Sequence, residues 1–309
     1  MKKLTAILLA GLVVIVTAGL VIGDVHTAAY KGSVTCKMCH KIMHEAVVEG
    51  VETSAHPTTM QKADAQGAIV GDFATNPMFT RDKVAFVLGK GRNEQAYLDA
   101  NFQVLPALWN VKEKSWKPAQ ALDGATQCIG CHTTGYDAAT KSYAEAGVGC
   151  EACHGPGEDH MTGSDQKATI LNPKNLGAKE RAMVCGQCHS VGKDTTGKFA
   201  HPVGFRPGDD LAKAFADAEP TAPGRNQQYS EFVTSKHAQL GFLCVTCHDP
   251  HNAAGIAGQL KKPVNELCSG CHAATIKDMA THAPSASASA TCATCHMPRG
   301  QHAFRQPGA

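Results

Sequence analysis

All 14 cysteines of this 309-residue chain fall in one repeated word, Cys-x-x-Cys-His, and no cysteine is left over. The seven copies are CKMCH (Cys36, Cys39, His40), CIGCH (Cys128, Cys131, His132), CEACH (Cys150, Cys153, His154), CGQCH (Cys185, Cys188, His189), CVTCH (Cys244, Cys247, His248), CSGCH (Cys268, Cys271, His272) and CATCH (Cys292, Cys295, His296). Thiols three residues apart can each add to one vinyl group of the same haem. The histidine that follows then sits beneath the iron as its proximal ligand.

Structural zinc and disulfides also use paired cysteines, but neither needs a histidine after the second one. Histidine is 16 of 309 residues, so finding it there seven times out of seven is not chance. Seven haems also account for the composition. Aromatic residues are only 6% of the chain, too few for an ordinary side-chain core of this length. Seven apolar macrocycles, about one per 41 residues once a leader ending at Gly23 is removed, supply that core instead. Without them the chain is expected not to fold, as small metal-dependent domains do not.

Nine histidines lie outside the motifs. Seven of them, His56, His160, His201, His237, His251, His282 and His302, match the number of irons and are the candidate distal ligands. His26 falls beside the leader, and His44 follows His40 by one helical turn on the same face. Met60, Met161 and Met297 are packing residues while imidazoles suffice. Two histidines per iron lower its potential and close it to substrate. No motif histidine is replaced by another residue, so the pattern favours electron carriage and assigns no catalytic residue.

The N-terminus carries Lys2 and Lys3 ahead of a 20-residue uncharged run, Leu4 to Gly23. That is a secretory signal or a membrane anchor, and either puts the body outside the cytoplasm. The net charge of +2 shows no basic excess of the kind a nucleic-acid binder carries. Three regions are expected: 1–23 as leader, 24–220 with four haems and a cysteine-free insert over about 57–127, and 221–309 with three haems. Between Asn76 and Ala100 the pattern reads as helical segments broken at Gly89 and Gly91. Phe102 to Lys117 reads as a β-hairpin, a helix runs from Ala178 into CGQCH, and Asp209 or Asp210 caps another in DDLAKAF. AEPTAPGRNQQ reads as a linker and SASASA as a loop. The fold class is mainly α with extensive loops and a small β-hairpin, packed around seven covalent haems.

The words YKGSVTCKMCH, YLDANFQVLPALWNVKEKSW, CIGCHTTGYD, GVGCEACHGPGEDH, HPVGFRPGD and SKHAQLGFLCVTCHDPH resemble exported multihaem c-type cytochromes of the cytochrome c-554-like group. That resemblance implies periplasmic or extracellular electron transfer and mostly bis-histidine haems. The partners implied are redox proteins, such as other cytochromes or a membrane quinol oxidase. It also leaves open an N-terminal anchor, self-assembly into oligomers or filaments, and a rival activity: reduction of nitrite, nitric oxide or hydroxylamine at one open haem. His160, six residues after His154 across a Gly-Pro-Gly, is expected to serve an iron other than the one His154 holds.

Overall fold

A computed structural model of the chain describes residues 29–75, 78–89, 91–217, 227–252, 254–276, 279–284, 286–287 and 289–305. The leader, His26, most of the expected linker and the boundary near residue 220 lie outside the described residues, as does part of SASASA.

Helices α1 (Ser33–Met43) and α2 (Glu45–Thr53) open the described chain. The cysteine-free insert then builds an antiparallel five-stranded sheet in sequential order: β1 (Met60–Lys62), β2 (Phe86–Leu88), β3 (Glu94–Leu98), β4 (Ala107–Asn110) and β5 (Ser115–Pro118). The expected hairpin is β4–β5, with Trp109 opposite Trp116. Where helices are expected between residues 76 and 100, the described residues hold a 3₁₀ turn at Arg81–Lys83 and then strands β2 and β3. Gly89 and Gly91 hold φ of 94° and 69°, left-handed values that suit glycine and turn the chain between two short apolar runs.

Strand alternation buries both faces of this sheet. Met60, Leu88 and Leu98 pack on Ala125 and Ile129, at the second cysteine motif. Val87 and Tyr97 face the other way, into a cluster with Trp109, Phe73, Phe79 and Trp116. The sheet is therefore the platform on which the second motif is mounted. Helix α3 (Gly124–Gln127), capped by the Asp123 carboxylate accepting from the Ala125 N–H at 3.0 Å, leads directly into α4 (Ile129–His132).

Beyond it come the two-residue strands β6 (Thr133–Thr134) and β7 (Glu145–Ala146), then α5 (Glu151–His154), α6 (Glu158–Thr162) and α7 (Ala178–Gly186). Helix α7 enters the fourth motif as expected. The segment DDLAKAF is a single 3₁₀ turn capped by Asp210, and it runs into β9 (Phe215–Asp217), which pairs with β8 (Gly192–Asp194). The last part holds α8 (Gln228–Phe232), α9 (Lys236–Gln239), α10 (Cys244–Cys247), α11 (Val264–Ile276), α12 (Met279–His282) and α13 (Cys292–His296). Helices α10, α11 and α13 bury none of their own residues. Three motif helices with no side-chain core are what a fold held together by large apolar cofactors requires.

Candidate metal centres

Each motif lies in or at the end of a helix, which brings two sulfurs and one imidazole together. Six of the seven motif histidines face a histidine from elsewhere in the chain. The ring centroids of His40 and His160 are 6.0 Å apart, His154 and His251 6.2 Å, and His56 and His189 6.4 Å. His248 and His302 lie 6.0 Å apart, His237 and His272 6.0 Å, and His282 and His296 5.9 Å. A metal–imidazole bond is about 2.0–2.1 Å and a ring centroid lies about 1.1 Å behind its nitrogen, so two imidazoles across one metal have centroids about 6.3 Å apart. The six spacings fit one iron held between each pair.

The geometry also fixes the tautomer. The Nδ1 of His132, His154, His248 and His296 lies 2.8–3.0 Å from the carbonyls of Thr59, Leu171, Gly258 and Arg305. His189 Nδ1 lies 2.9 Å from Gln228 Oε1. Each such Nδ1–H donates and leaves Nε2 free for metal, the arrangement that orients a ligating imidazole and raises its basicity. Burial lowers the pKa of His40, His56, His132, His154, His237, His248 and His302, with His56 pushed to about 4. It thereby favours the neutral ring a metal needs.

The motifs also touch one another. Thiols of different motifs come within hydrogen-bonding reach: Cys36 with Cys150, Cys131 with Cys188, Cys185 with Cys244, and Cys268 with Cys292. These sulfurs stand in for thioethers of the loaded protein. Gln187 of the fourth motif donates from Nε2 to the Ala152 carbonyl of the third at 2.9 Å, and Cys247 lies within electrostatic reach of Cys271. The contacts thread the motifs in the order one, three, four, five, six, seven, with the second branching from the fourth. The second motif, next to the third along the sequence, meets the fourth instead.

Two carboxylates, the buried Glu151 and the half-buried Glu145, lock the first motif to the third. Glu151 accepts from the backbone N–H groups of Lys31, Gly32 and Gly157 at 2.6–3.0 Å. Glu145 accepts from the Ser33 N–H and hydroxyl, and Ser33 Oγ in turn accepts from the Cys150 N–H at 2.9 Å.

Two family descriptions match parts of the chain: "Cytochrome c554 and c-prime" over residues 101–155 and "Doubled CXXCH motif" over residues 237–277. The chain is 29% identical over 178 residues to the multiheme cytochrome MtrA of Shewanella baltica, covering 48% of this chain and 53% of that one. The chain is a multihaem c-type cytochrome. The cytochrome is also 26% identical over 194 residues to the dissimilatory sulfite reductase MccA of Wolinella succinogenes, covering 48% of this chain and 27% of that protein. It thus spans about half of MtrA and about a quarter of MccA. Among solved structures, the outer cell wall cytochrome OcwA superposes with a TM-score of 0.68 at 20% identity, over 89% of this chain and 79% of that one. That likeness shows a shared fold.

One candidate distal ligand of the cytochrome sits apart. His201 has Tyr136 and Phe199 as ring neighbours at 5.4 and 5.3 Å, and a Cβ at Gly130, inside the second motif, would lie 2.2 Å from its ring. It is 6% exposed, both its ring nitrogens lack a partner, and burial holds its pKa at about 4. His201 therefore packs on the back of the CIGCH turn. Among the described residues no ring contact joins His132, the second motif's own histidine, to another histidine. His44 stacks on His40 at 5.6 Å from the same helix end, while His160 approaches from a separate helix. The residue that counting histidines missed is Gln228; no spacing rule marks a glutamine that serves an imidazole 39 residues away.

Proposed function

We propose that the chain carries seven covalent haems and conducts electrons along them outside the cytoplasm, in the periplasm or at the cell surface. The six imidazole pairs at 5.9–6.4 Å are the observation that carries this reading. Cysteines and proximal histidines of the seven motifs hold the macrocycles. His160, His251, His56, His302, His237 and His282 are the distal ligands for motifs one, three, four, five, six and seven. The haems supply one-electron iron chemistry. At six motifs the paired imidazoles would hold the iron from two sides and keep water and substrate away from it. The motif cysteines keep neighbouring attachment points in contact, from Cys36 at one end to Cys292 and Cys295 at the other. The contact of Cys185 with Cys244 makes the four-haem and three-haem stretches one conductor. Electrons are exchanged with redox proteins, either other cytochromes or a membrane quinol oxidase. Mass spectrometry of the exported protein tests the count. Seven haems per chain are expected, and five or fewer would refute the reading.

A second reading is favoured by the second motif, where among the described residues no histidine faces His132 and His201 packs against Gly130. It is a small-molecule reductase working at the second motif, in keeping with a relative named as a sulfite reductase. Carbon monoxide titration of the reduced protein separates the two. One equivalent bound per chain, lost when Cys128 and Cys131 are both changed to Ala, supports an open iron there; no binding leaves the carrier alone.

A further inference from the structure

The hydrogen-bond acceptors of the motif histidine rings are not all alike. His154 and His296 are each held by a reciprocal backbone clamp: the ring donates to the carbonyl of Leu171 or Arg305, and the same residue's N–H donates back to the histidine carbonyl. His132 and His248 likewise donate to backbone carbonyls. At His189 half of the clamp is retained, since Tyr229 N–H donates to the His189 carbonyl at 2.8 Å. The ring acceptor there is the preceding residue's side chain, Gln228 Oε1 at 2.9 Å. A backbone carbonyl is fixed by the fold. A side-chain acceptor at the first position of α8 is set by the identity of one residue.

The fourth motif is also where the cysteine contacts converge. Cys188 meets Cys131 of the second motif, Cys185 meets Cys244 of the fifth, and Gln187 between them donates to the Ala152 carbonyl of the third. A haem held at the fourth motif would therefore adjoin those of the second, third and fifth.

We propose that Gln228 is a positioning residue that sets the reduction potential of the haem held by Cys185 and Cys188. The inference rests on the reading of His189 and His56 as that iron's ligands. An acceptor on Nδ1 makes the imidazole a stronger donor to iron and favours the ferric state. A carboxylate there forms a stronger, charge-assisted bond, whereas an aliphatic side chain removes the acceptor.

The test uses the exported holoprotein with Gln228→Glu and Gln228→Leu. The relevant transition is identified as the one missing from a Cys185→Ala/Cys188→Ala variant in protein-film voltammetry. Gln228→Glu is expected to lower that midpoint and Gln228→Leu to raise it, each by a tenfold change in the ferric–ferrous equilibrium, about 59 mV for one electron, with the low-spin spectrum and haem content unchanged. If Gln228→Leu loads one haem fewer, Gln228→Glu still decides, because it keeps an acceptor of the same length. A midpoint unmoved in Gln228→Glu while all seven haems are present overturns the inference and leaves the conductor reading intact. A Cys185→Ala/Cys188→Ala protein that loses neither a haem nor a transition overturns both.

Discussion

Changing Glu151 to Gln cuts at the joint between the first and third motifs. The carboxylate is 1% exposed and accepts from three backbone N–H groups, those of Lys31, Gly32 and Gly157. Hydrogen bonds to a charged acceptor contribute about 1.5–3 kcal/mol each, and a buried donor left without a partner costs about 1–3 kcal/mol. Gln preserves the shape and one oxygen, so the substitution loses the charge on every bond and turns an NH₂ toward at least one N–H. The expected loss is about 3 kcal/mol, large against a total stability of about 5–15 kcal/mol. It falls on the start of α1, so the contact between Cys36 and Cys150 loosens with it. Urea unfolding of the holoprotein, followed by the haem absorbance band, reads the stability. Voltammetry reads whether electrons still cross from the first haem to the third. A variant within about 0.5 kcal/mol of the parent, the scatter of an ordinary surface change, would refute the claim that this carboxylate clamps the two motifs.

Three further outcomes are expected. His160→Met places a thioether opposite His40 and raises one midpoint while the others hold; unchanged voltammetry would remove His160 from the ligand set. Replacing Cys150 and Cys153 together by Ala yields a chain one haem lighter by mass, and an unchanged mass would disprove covalent attachment there. His201 makes the fold lose stability in acid. Its pKa is about 4 in the fold against about 6.5 unfolded, so its contribution is complete above pH 6.5 and is lost as the pH falls toward 4. At about 1.4 kcal/mol per unit this amounts to about 3 kcal/mol. His201→Leu is expected to remove that part of the acid loss, seen as a smaller stability difference between pH 7 and pH 4.5 than in the parent. An unchanged difference would mean that the imidazole is not buried neutral.

The seven attachment motifs could be read directly because covalent haem chemistry demands a fixed local spacing that survives any surroundings. The histidine pool was legible for the same reason, since irons need partners. The pairing was not. His56 reaches across more than a hundred residues to His189, and His251 returns to His154, because the loops between motifs limit reach without setting direction. His201 is the one of the seven candidate distal histidines that no ring contact joins to a motif histidine among the described residues; its neighbours are Gly130, Tyr136 and Phe199. The sheet failed differently. FVL and EQAYL are too short for a 2.0 period to be told from a 3.6 period, and their strand character comes from pairing Val87 with Tyr97 across the turn at Gly89 and Gly91. The hairpin of Trp109 and Trp116 was visible because its arms alternate around a charged turn.

Electron paramagnetic resonance of the oxidised holoprotein, with haem stoichiometry measured on the same sample, tests the account most directly. At least six low-spin ferric centres with bis-imidazole character are predicted. Fewer than six in a sample carrying all seven haems would contradict the pairing of ligands on which the account stands.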